Sequence, residues 1–596
     1  MLKRLVEFSL TQRLLVALAT LALVIAGIMA WRGLPIDAFP DIAPTQVKLI
    51  LKAPGMTPEE VETRVIVPLE MELLGIPQQV MLRASAKYAI ADLTLDFEEG
   101  TDIYWARQQV AERFAAVAGD LPASVSGGLA PIATPLSDMY MFTIEGDGLD
   151  DAGKRGVLDW IVRPALRTVP GVADVNALGG RVRSFDVVPD RIAMAAAGVS
   201  VQNLADALKA NNANDGADLL DEGEEALVVR TTGALQGLQD IAAVQVVGAA
   251  GQRLRVDQIA QVREGSLTRY GAVTRSGKGE AVQGLVIGLR GADAGAVVQG
   301  VKARLAELQA QLPPGVRIVP FYDRSDLIQR ATGTVEDALL EATVLVVLLL
   351  VVFLGDLRAA IVVALILHLS ALWTFMLMRL FGLSANLMSL GGLAIAIGML
   401  VDAAVVVVEN TVEHLAQPTD EKRSPRLHRI YRAVIEVASP VSAGVIIIGL
   451  VFLPLLTLQG LEGKLFAPVA LTIVFALIGS LLLSLSVVPV LASWLLRSGA
   501  HAEPWLMRQL AAPYDHALQR VIAQPRAAVG GAAAVLVLAV AAWFGIGKTF
   551  MPTMDEGAIL VQLEKLPSAN LAARVEVDLA VQRAILARVP EVRNII

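Results

Sequence analysis

The chain has 596 residues, of which 55% are hydrophobic and 18% charged, and its mean hydropathy is +0.58. This composition excludes an ordinary soluble enzyme and indicates a membrane protein with a large soluble part. The net charge of −8 gives no basic footprint for nucleic acid, and the lack of cysteine excludes disulfides and thiolate metal sites. With five histidines, metal chemistry would depend mostly on carboxylates and thioethers.

The chain opens with a short amphipathic lead, MLKRLVEFSLTQR, followed by an apolar run from Leu14 to Trp31. The run is longer than the core of a cleaved signal peptide, and WRGLPIDAFPD follows it without a small-residue cleavage site. We therefore interpret residues 1–31 as a lead and a retained first transmembrane helix.

Residues 32–337 contain no spanning segment and show the alternating texture of an α+β region. QVKLILKA, QQVMLRAS and AIADLTLDF have the pattern of strands, and a helix opens at Thr57-Pro58-Glu59-Glu60 with a Thr cap, an early Pro and acids in the first turn. A second helix follows at TDIYWARQQVAERFAAVAG, so the order is βαββα. This order predicts a sandwich of helices on a sheet.

The same helix, Pro-bearing turn and strand recur in LDWIVRPALRTVPGVADVNALG, and a third unit runs from EAVQGLVIGLR to VRIVPFYD. Residues 181–272 form a strand- and turn-rich insertion between the second and third units. Its acidic stretch NNANDGADLLDEGEEALVV suits a long exposed hairpin. That hairpin is either a solvated loop or an arm that reaches a partner subunit.

Apolar runs then follow closely, and we predict spans at 339–354, 359–380, 385–408, 433–457, 466–496 and 527–547. Residues 338–498 thus hold spans two to six, 499–526 a cytoplasmic amphipathic linker, and 527–547 the seventh span. Basic residues gather in the segments that share a side with the N-terminus, whereas the two short outer loops hold Arg379 and Lys464 at most. The positive-inside rule therefore predicts that the large soluble region faces outward, which is the periplasm in a bacterium with two membranes.

The stretch Leu387 to Asn410 is apolar except for Asp402 until it ends at Glu409 and Asn410. An ionised Asp at membrane depth costs several kcal/mol, so it persists mainly where it has a task. Small neighbours such as Gly391, Gly392 and Gly398 allow other helices to approach closely. The pattern favours a transporter core, the alternative being a structural Asp that a neighbouring hydroxyl satisfies. Glu409 is a weaker second candidate at the membrane boundary.

Residues 548–596 resemble the segment after the first span: a turn with Pro and Asp, a strand, a Pro-bearing turn, a helix and then Pro-x-x-Val. We expect the chain to be the N-terminal half of a duplicated protein plus a truncated start of the second soluble region. Internal repeats of this kind are typical of transporters.

Several motifs together resemble one family, the resistance-nodulation-division (RND) transporters, and within it the heavy-metal efflux branch. They are DAFPDIAPTQV, EEGTDIYWARQQV, DWIVRPALRTVPGVADVNALGG, PPGVRIVPFYDRSDLI, GMLVDAAVVVVEN and FMPTMDEG. The single acid Asp402 followed by Ala403 matches metal exporters, since the multidrug branch usually carries two adjacent acids there.

The resemblance implies an α-helical membrane bundle plus α+β porter subdomains, with a docking subdomain inserted at about 181–272. It also implies a homotrimer in the bacterial inner membrane that works with a periplasmic adaptor and an outer-membrane channel by proton antiport. Asp402 would be the proton relay. No cofactor is expected, and the metal ion is the transported substrate.

The substrate is inferred from positions that differ between branches. Where the copper type carries Met, this chain has Leu400, Val407 and Gln562, while Met388 is a weak remaining candidate. Asp138 matches an acidic cleft position of divalent-ion exporters and is our metal-ligand candidate, the alternative being a surface acid. Met139 and Met141 are expected to be strand-packing residues.

Two other functions stay open: an RND exporter of organic compounds, and a non-pumping half-transporter or sensor subunit. His368, in the third span, is expected to form a helix–helix hydrogen bond rather than serve as a relay. No Walker A stretch or nucleophile motif supports ATP hydrolysis or covalent catalysis.

Overall fold

The computed structural model describes residues 2–37, 40–214, 216–417, 425–496, 505–547, 558–566 and 568–596. The strands within these ranges are β1 (Gln46–Lys52), β2 (Gln79–Lys87), β3 (Ile90–Phe97), β4 (Ser126–Leu129), β5 (Asp138–Glu145), β6 (Val172–Gly179), β7 (Arg183–Pro189), β8 (Gly216–Glu222), β9 (Glu225–Arg230), β10 (Gln245–Val247), β11 (Arg253–Arg255), β12 (Ala260–Ser266), β13 (Val273–Arg275), β14 (Gly279–Gly288) and β15 (Arg317–Asp323).

The helices in the same ranges are α1 (Leu2–Thr11), α2 (Arg13–Arg32), α3 (Pro58–Val61), α4 (Val67–Leu73), α5 (Ile103–Ala118), α6 (Asp151–Val157), α7 (Arg163–Leu166), α8 (Arg191–Ala197), α9 (Val201–Ala210), α10 (Leu238–Ala243), α11 (Val256–Ile259), α12 (Ala294–Gln309), α13 (Arg324–Leu354), α14 (Leu357–Leu380), α15 (Leu387–Ala416), α16 (Arg426–Phe452), α17 (Gly460–Leu495), α18 (Trp505–Ala523), α19 (Pro525–Gly545) and α20 (Leu571–Arg588). A 3₁₀ turn, Leu453–Thr457, extends α16.

These elements form two compact units. One consists of Met1–Ser137, Leu289–Val298 and Arg324–Val561, and the other of Asp138–Gly288, Gln299–Asp323 and Gln562–Ile596. The first unit holds the apolar helices and a four-stranded sheet, and the second holds a five-stranded sheet with its inserted elements.

Six helical segments among the described residues are long and apolar enough to cross a membrane: Arg13–Arg32, Leu357–Leu380, Leu387–Ala416, Arg426–Thr457, Gly460–Leu495 and Pro525–Gly545. They correspond to six of the seven spans predicted from the sequence. The span predicted at 339–354 forms the last part of the 31-residue helix α13, where the apolar stretch Leu340–Phe353 is shorter than the others.

The bundle core forms where α15 packs against α17, α16 and α14. Leu393, Leu400 and Val407 of α15 are at most 1% exposed, as expected for one apolar face of a helix in a packed bundle. The amphipathic helix α1 packs on α16 and α17 through its buried residues Val6 and Leu10.

The sheet of the first unit has the antiparallel order β2-β3-β1-β4. β3 alternates buried and partly buried residues, because one face packs on the helices that contain Leu69, Leu73 and Val110. The predicted start at Thr57 is a capping box: the Glu60 N–H donates to the Thr57 hydroxyl, and the Thr57 N–H donates to the Glu60 carboxylate at 2.9 Å.

The sheet of the second unit has the order β13-β14-β5-β15, with β6 on the other edge of β14. β14 is therefore an interior strand, and its residues Val282 and Val286 are fully buried. The apolar helix bundle and the two helix-covered sheets confirm the predicted fold class.

Each unit contains one helix that is interrupted by a π-helical turn, at Glu62–Ile66 and at Leu158–Val162. A proline lies two residues after each turn, Pro68 and Pro164. A proline inside a helix lacks an N–H and clashes with the carbonyl four residues earlier, so the wider turn relieves that clash. The two helices are the pair whose similarity is visible in the sequence.

Residues 183–266 of the second unit contain the two-stranded sheets β7–β12, β8–β9 and β10–β11. β8 and β9 form a hairpin in the acidic Gly/Asn-rich stretch, and all six residues of β9 are exposed. The region was expected to consist of strands and turns, but it also contains α8 to α11, because Asp190 and Ser200 cap α8 and α9.

Candidate functional site

Helix α15 positions Asp402. Asn386 caps its N-terminus, since the side-chain oxygen accepts hydrogen bonds from the N–H groups of Met388 and Ser389, both at 3.0 Å. Asn386 is only 2% exposed, so this end of the helix is held firmly. Two residues before Asp402, the Leu400 carbonyl accepts a hydrogen bond from Ser480 of α17 at 3.0 Å.

Small residues bring α17 against one face of α15. A Cβ added at Gly392 would lie 2.4 Å from the Thr472 hydroxyl and 2.8 Å from the Val469 carbonyl oxygen. No side chain larger than glycine fits at that point without a shift of one helix. The small-residue pattern of the sequence therefore serves close helix packing on this face.

Asp402 lies on a different face of α15, which we call the open face and define by Ile395, Gly398, Asp402 and Glu409. Their spacing of three, four and seven residues places them along one side of the helix, and all four are exposed. Asp402 makes no hydrogen bond or ion pair within the described residues. A Cβ added at Gly398 would meet nothing within 4 Å.

Glu409 and Met388 flank Asp402 along the helix. Glu409 is exposed on the open face, about 10 Å further along the axis at 1.5 Å per residue, so the two carboxyls are beyond direct hydrogen-bond reach. Its neighbour Asn410 donates to the Ala433 carbonyl of α16 at 2.7 Å. Met388 is partly buried in the first turn of α15, about four turns from Asp402.

Three other positions singled out in the sequence lie away from the open face. Leu400 and Val407 are buried on the packed side of α15. His368 differs from expectation: its Nδ1 lies 2.9 Å from the Ala364 carbonyl oxygen of its own helix, so the hydrogen bond is within α14 rather than between helices.

Asp138 begins β5 in the second unit and is partly buried. Opposite it on β14 is Ile287, and the register shifts here because Met139 is an extra residue between Asp138 and Tyr140. Met139 is 3% exposed and approaches Gly288, as expected for a strand-packing residue. Met141 is partly buried and accepts a weak hydrogen bond from Gln283 at 3.8 Å.

A second aspartate lies opposite the same residue on the other side of β14. Ile287 pairs with Asp174 of β6, and another register shift follows, with Ala173 as the extra residue. Irregularities of this kind often re-aim side chains next to sites. Because cross-strand partners share a face of the sheet, Asp138 and Asp174 flank Ile287 from its two sides.

The Asp174 carboxylate forms ion pairs with two arginines. Its carboxylate lies 3.1 Å from Arg163 Nη2 and 3.4 Å from Arg167 Nε, and it accepts the Val175 N–H at 2.7 Å. Sequence reasoning missed Asp174, because its relation to Asp138 depends on pairing across β14. The signal that could have found it is the recurring helix–turn–strand pattern, which places Asp174 early in a strand.

The described residues contain no group of three or more His, Asp or Glu side chains that could hold a metal ion by themselves. Gln562, which occupies one of the positions where the copper type carries Met, is exposed in the irregular segment 558–566. Asp138 and Asp174 alone are therefore fewer side chains than a complete metal site needs.

Among the described residues, four groups outside the apolar helices have shifted pKa values, namely Glu59, Arg107, Arg269 and Arg275. A hydrogen bond to Glu280 raises the pKa of Arg269, and burial lowers the pKa of Arg275 and of Arg107. Hydrogen bonds from its own backbone N–H and from Thr57 lower the pKa of Glu59. These shifts arise from burial, a helix cap and one ion pair, none of which involves Asp402 or Asp138.

An apolar bundle with one acid inside the apolar stretch of α15, together with two helix-covered sheets, fits the class of membrane transporters with large soluble regions. The chain belongs to the AcrB/AcrD/AcrF family of RND transporters, which residues 5–596 match. The family recognised from the sequence motifs is thereby confirmed.

Two similar proteins carry names that refer to cation efflux or to metal resistance. The chain is 37% identical over 610 residues to the cation efflux system protein CzcA of Alcaligenes sp. strain CT14 and 36% identical to the cobalt-zinc-cadmium resistance protein CzcA of Cupriavidus metallidurans. All of this chain is covered in both cases, and 57% of each relative.

A crystal structure of a heavy metal efflux pump matches with a TM-score of 0.87 at 33% identity, over 99% of this chain and 57% of that one. The chain therefore spans just over half the length of the proteins it matches. The similarity also confirms the resemblance to the heavy-metal branch.

Proposed function

We propose that this chain acts in a proton-driven exporter of divalent metal cations in the bacterial inner membrane. The observation that carries the proposal is the position of Asp402, the one acid within the apolar stretch of α15, on a face that the described residues leave open. Similarity to cobalt, zinc and cadmium resistance proteins supports metal cations as substrates.

Asp402 takes up and releases the proton in this proposal. In an apolar environment a carboxyl favours its neutral form, whereas a cation beside it favours the ionised form. Alternation between a proton and a cationic partner would favour two different packings of α15 against whatever covers its open face. Each proton that enters supplies roughly 2.3 kcal/mol per 100 mV of membrane potential, enough to bias such an equilibrium.

Asp138 and Asp174 supply carboxylate ligands to the metal ion on its way through the soluble region. Oxygen ligands suit Zn(II), and these two acids provide at most two of the four ligands that zinc usually takes. Thioether ligands suit Cu(I), but Leu400 and Val407 occupy the positions where methionine would be expected for that ion. The metal is the substrate here and not a resident cofactor.

The remaining parts of the proposal concern orientation and assembly. The basic residues of the loops on the same side as the N-terminus support a periplasmic position of the large soluble region, by the positive-inside rule. Membership of the RND family supports a homotrimer that works with a periplasmic adaptor and an outer-membrane channel.

The test is the tolerance of cells that express the complete gene product to Zn, Co, Ni, Cu and a panel of drugs. We expect the wild type to confer tolerance to divalent metals and Asp402→Asn to abolish it at equal protein level. Glu413→Gln is the matched control, since it removes a carboxylate from the same helix beyond the apolar stretch.

Each other outcome contradicts part of the proposal. Tolerance to drugs without tolerance to metals would assign the protein to organic-compound efflux. An active Asp402→Asn variant would remove Asp402 from the mechanism. Loss of tolerance in Glu413→Gln as well would show that any lost carboxylate on α15 is damaging.

A further inference from the structure

The segment that leaves α2 is held by charged side chains from elements distant in sequence. We call Pro35–Thr45 the junction segment; its residues 38 and 39 lie outside the described ranges. Arg324, at the start of α13 and only 4% exposed, lies 2.7 Å from the Asp37 carboxylate. Arg290, after β14, lies 2.5 Å from the Asp41 carboxylate and donates to the Ala43 carbonyl at 2.9 Å.

Helix α17 reaches the same segment through Lys464. Its Nζ donates to the Ala43 carbonyl at 2.9 Å and lies 3.3 Å from the Glu99 carboxylate. Lys464 is the single basic residue in α17. The other oxygen of Glu99 accepts the Gly460 N–H at 3.4 Å, so the start of α17 has two contacts with Glu99 and one with the junction segment.

Helix α15 is bonded to the junction segment as well. The Ala385 N–H donates to the Pro35 carbonyl at 2.9 Å, and the Asp37 N–H donates to the Ala385 carbonyl at 3.2 Å. Ala385 directly precedes Asn386, the cap of α15. Thus the two helices that pack together around Leu400 both begin at this segment.

The far end of the junction segment enters the sheet. Thr45 is 8% exposed, its carbonyl accepts the Phe97 N–H at 2.8 Å, and β1 begins at the next residue. Glu99 itself lies between β3 and α5. Any shift of the start of α17 must therefore displace either the entry to β1 or the end of β3.

The described residues next to these contacts enclose a cavity of about 270 Å³, which Asp41, Lys464 and the loop residues Gly382, Leu383 and Ser384 line. Among the described residues, the loop between α14 and α15 is therefore not closely packed against residues 40 and 41.

We infer that residues 40–45 of the junction segment transmit movement of the start of α17 to the four-stranded sheet, and that Lys464 is the positioning residue that couples α17 to them. The inference rests on the proposed function, in which the protonation of Asp402 changes the packing of α15. The hydrogen bond of 2.9 Å from Lys464 to the Ala43 carbonyl suits this role, because charge-assisted hydrogen bonds are short and directional.

The test measures the position of the sheet relative to the bundle in the complete gene product reconstituted in nanodiscs. Spin labels go on Lys87→Cys, at the exposed turn between β2 and β3, and on Leu380→Cys, 75% exposed at the end of α14. This chain has no cysteine of its own, so only cysteines elsewhere in the gene product need replacement. Asp402→Asn imitates the protonated state.

We expect Asp402→Asn to shift the distance distribution in the parent protein and to leave it unchanged when Lys464→Met is also present. Lys464→Arg should preserve the shift. The matched control is Arg83→Met, which removes an ion pair of 2.8 Å within the sheet alone and should also preserve it. In transport assays with Zn²⁺, Lys464→Met should lower the rate by about tenfold while Zn²⁺ affinity stays unchanged.

A full shift in the Lys464→Met background would overturn the inference and leave the proposed function intact. The absence of any shift in the parent protein would overturn the inference too. In that case the metal tolerance of cells that express Asp402→Asn still tests the proposed function separately. If Lys464→Met does not fold, Glu99→Gln serves instead, with a reduced shift expected and a full one contradicting the role of Lys464.

Discussion

Asp402 and Asp174 are acids whose charges are balanced in different ways. The Asp174 carboxylate accepts a backbone N–H and lies beside two arginines. Asp402 has no hydrogen bond or ion pair in the part of the chain that the structure describes. A carboxylate with several donors stays ionised, whereas one without donors in hydrocarbon gains from a proton. In the proposed function this difference in contacts corresponds to two tasks, proton exchange at Asp402 and metal binding at Asp174.

The largest expected effects come from comparing a variant of Asp402 with a double variant of Asp138 and Asp174, each measured for proton flux and for Zn²⁺ affinity. In proteoliposomes, Asp402→Asn should abolish Zn²⁺-dependent proton flux and leave Zn²⁺ affinity unchanged. The double variant Asp138→Asn/Asp174→Asn should instead lower Zn²⁺ affinity by at least about tenfold. Isothermal titration and a pH-sensitive dye measure the two quantities. Equal loss of both in either variant would show that the sites do not have separate tasks.

Substitutions at two adjacent glycines, Gly391 and Gly392, distinguish the packed side of α15 from its open face. Gly392→Ala places a Cβ 2.4 Å from the Thr472 hydroxyl and should lower the free energy of unfolding by about 1–3 kcal/mol. Gly391→Ala, where a Cβ meets nothing within 4 Å, should change it by less than about 0.5 kcal/mol. Denaturant titration of this chain in detergent measures both. A comparable decrease in the free energy of unfolding for Gly391→Ala would mean that other side chains already pack against this side of α15.

The arginines beside Asp174 should compete with a metal ion for its carboxylate. Arg167 is 57% exposed and lies 3.4 Å from it, so Arg167→Gln should raise Zn²⁺ affinity by up to about fivefold, the equivalent of one exposed ion pair. Titration calorimetry measures the affinity, and Arg83→Gln is the control in the other sheet. Unchanged affinity would show that Asp174 does not bind the metal.

The smallest expected effect is a change in melting temperature on substitution of Glu59, an acid outside both candidate sites. Hydrogen bonds from its own N–H and from Thr57 lower the pKa of Glu59 below its usual 4.5. A carboxyl whose pKa is lowered on folding stabilises the fold above that usual value, and the stabilisation is lost as the pH falls through the folded-state pKa. Glu59→Gln should therefore melt slightly lower than the wild type at pH 7, and this difference should shrink as the pH falls below 4.5. A difference that stays constant as the pH falls would contradict this origin.

Local signals in the sequence were sufficient for much of the architecture. The Thr57 cap, the βαββα succession of elements in the first soluble segment and six of the seven spans are set by periodicity and capping, which depend on neighbouring residues. Asp402 became a candidate in the same way, because a single acid in an apolar stretch is conspicuous without any knowledge of its neighbours.

Non-local pairing explains the residues that were missed. Asp174 becomes a candidate only once β14 lies between β5 and β6, and no local pattern gives that register. The open face of α15 likewise depends on which side α17 occupies, since residues on both sides of the helix are small and apolar. The hydrogen bond of His368 within α14 depends on a rotamer that sequence spacing does not set.

The two π-helical turns also determine how long their helices must be. A π turn holds one residue more than the corresponding stretch of α-helix, so a one-residue deletion within Glu62–Ile66 would restore regular geometry there. The ring of Pro68 would then clash with the carbonyl group four residues before it, because the wider turn that relieves this clash would be gone. These helices should therefore tolerate substitutions at exposed positions in this turn far better than deletions. A related chain that lacks one residue in the turn should also lack the proline that follows it.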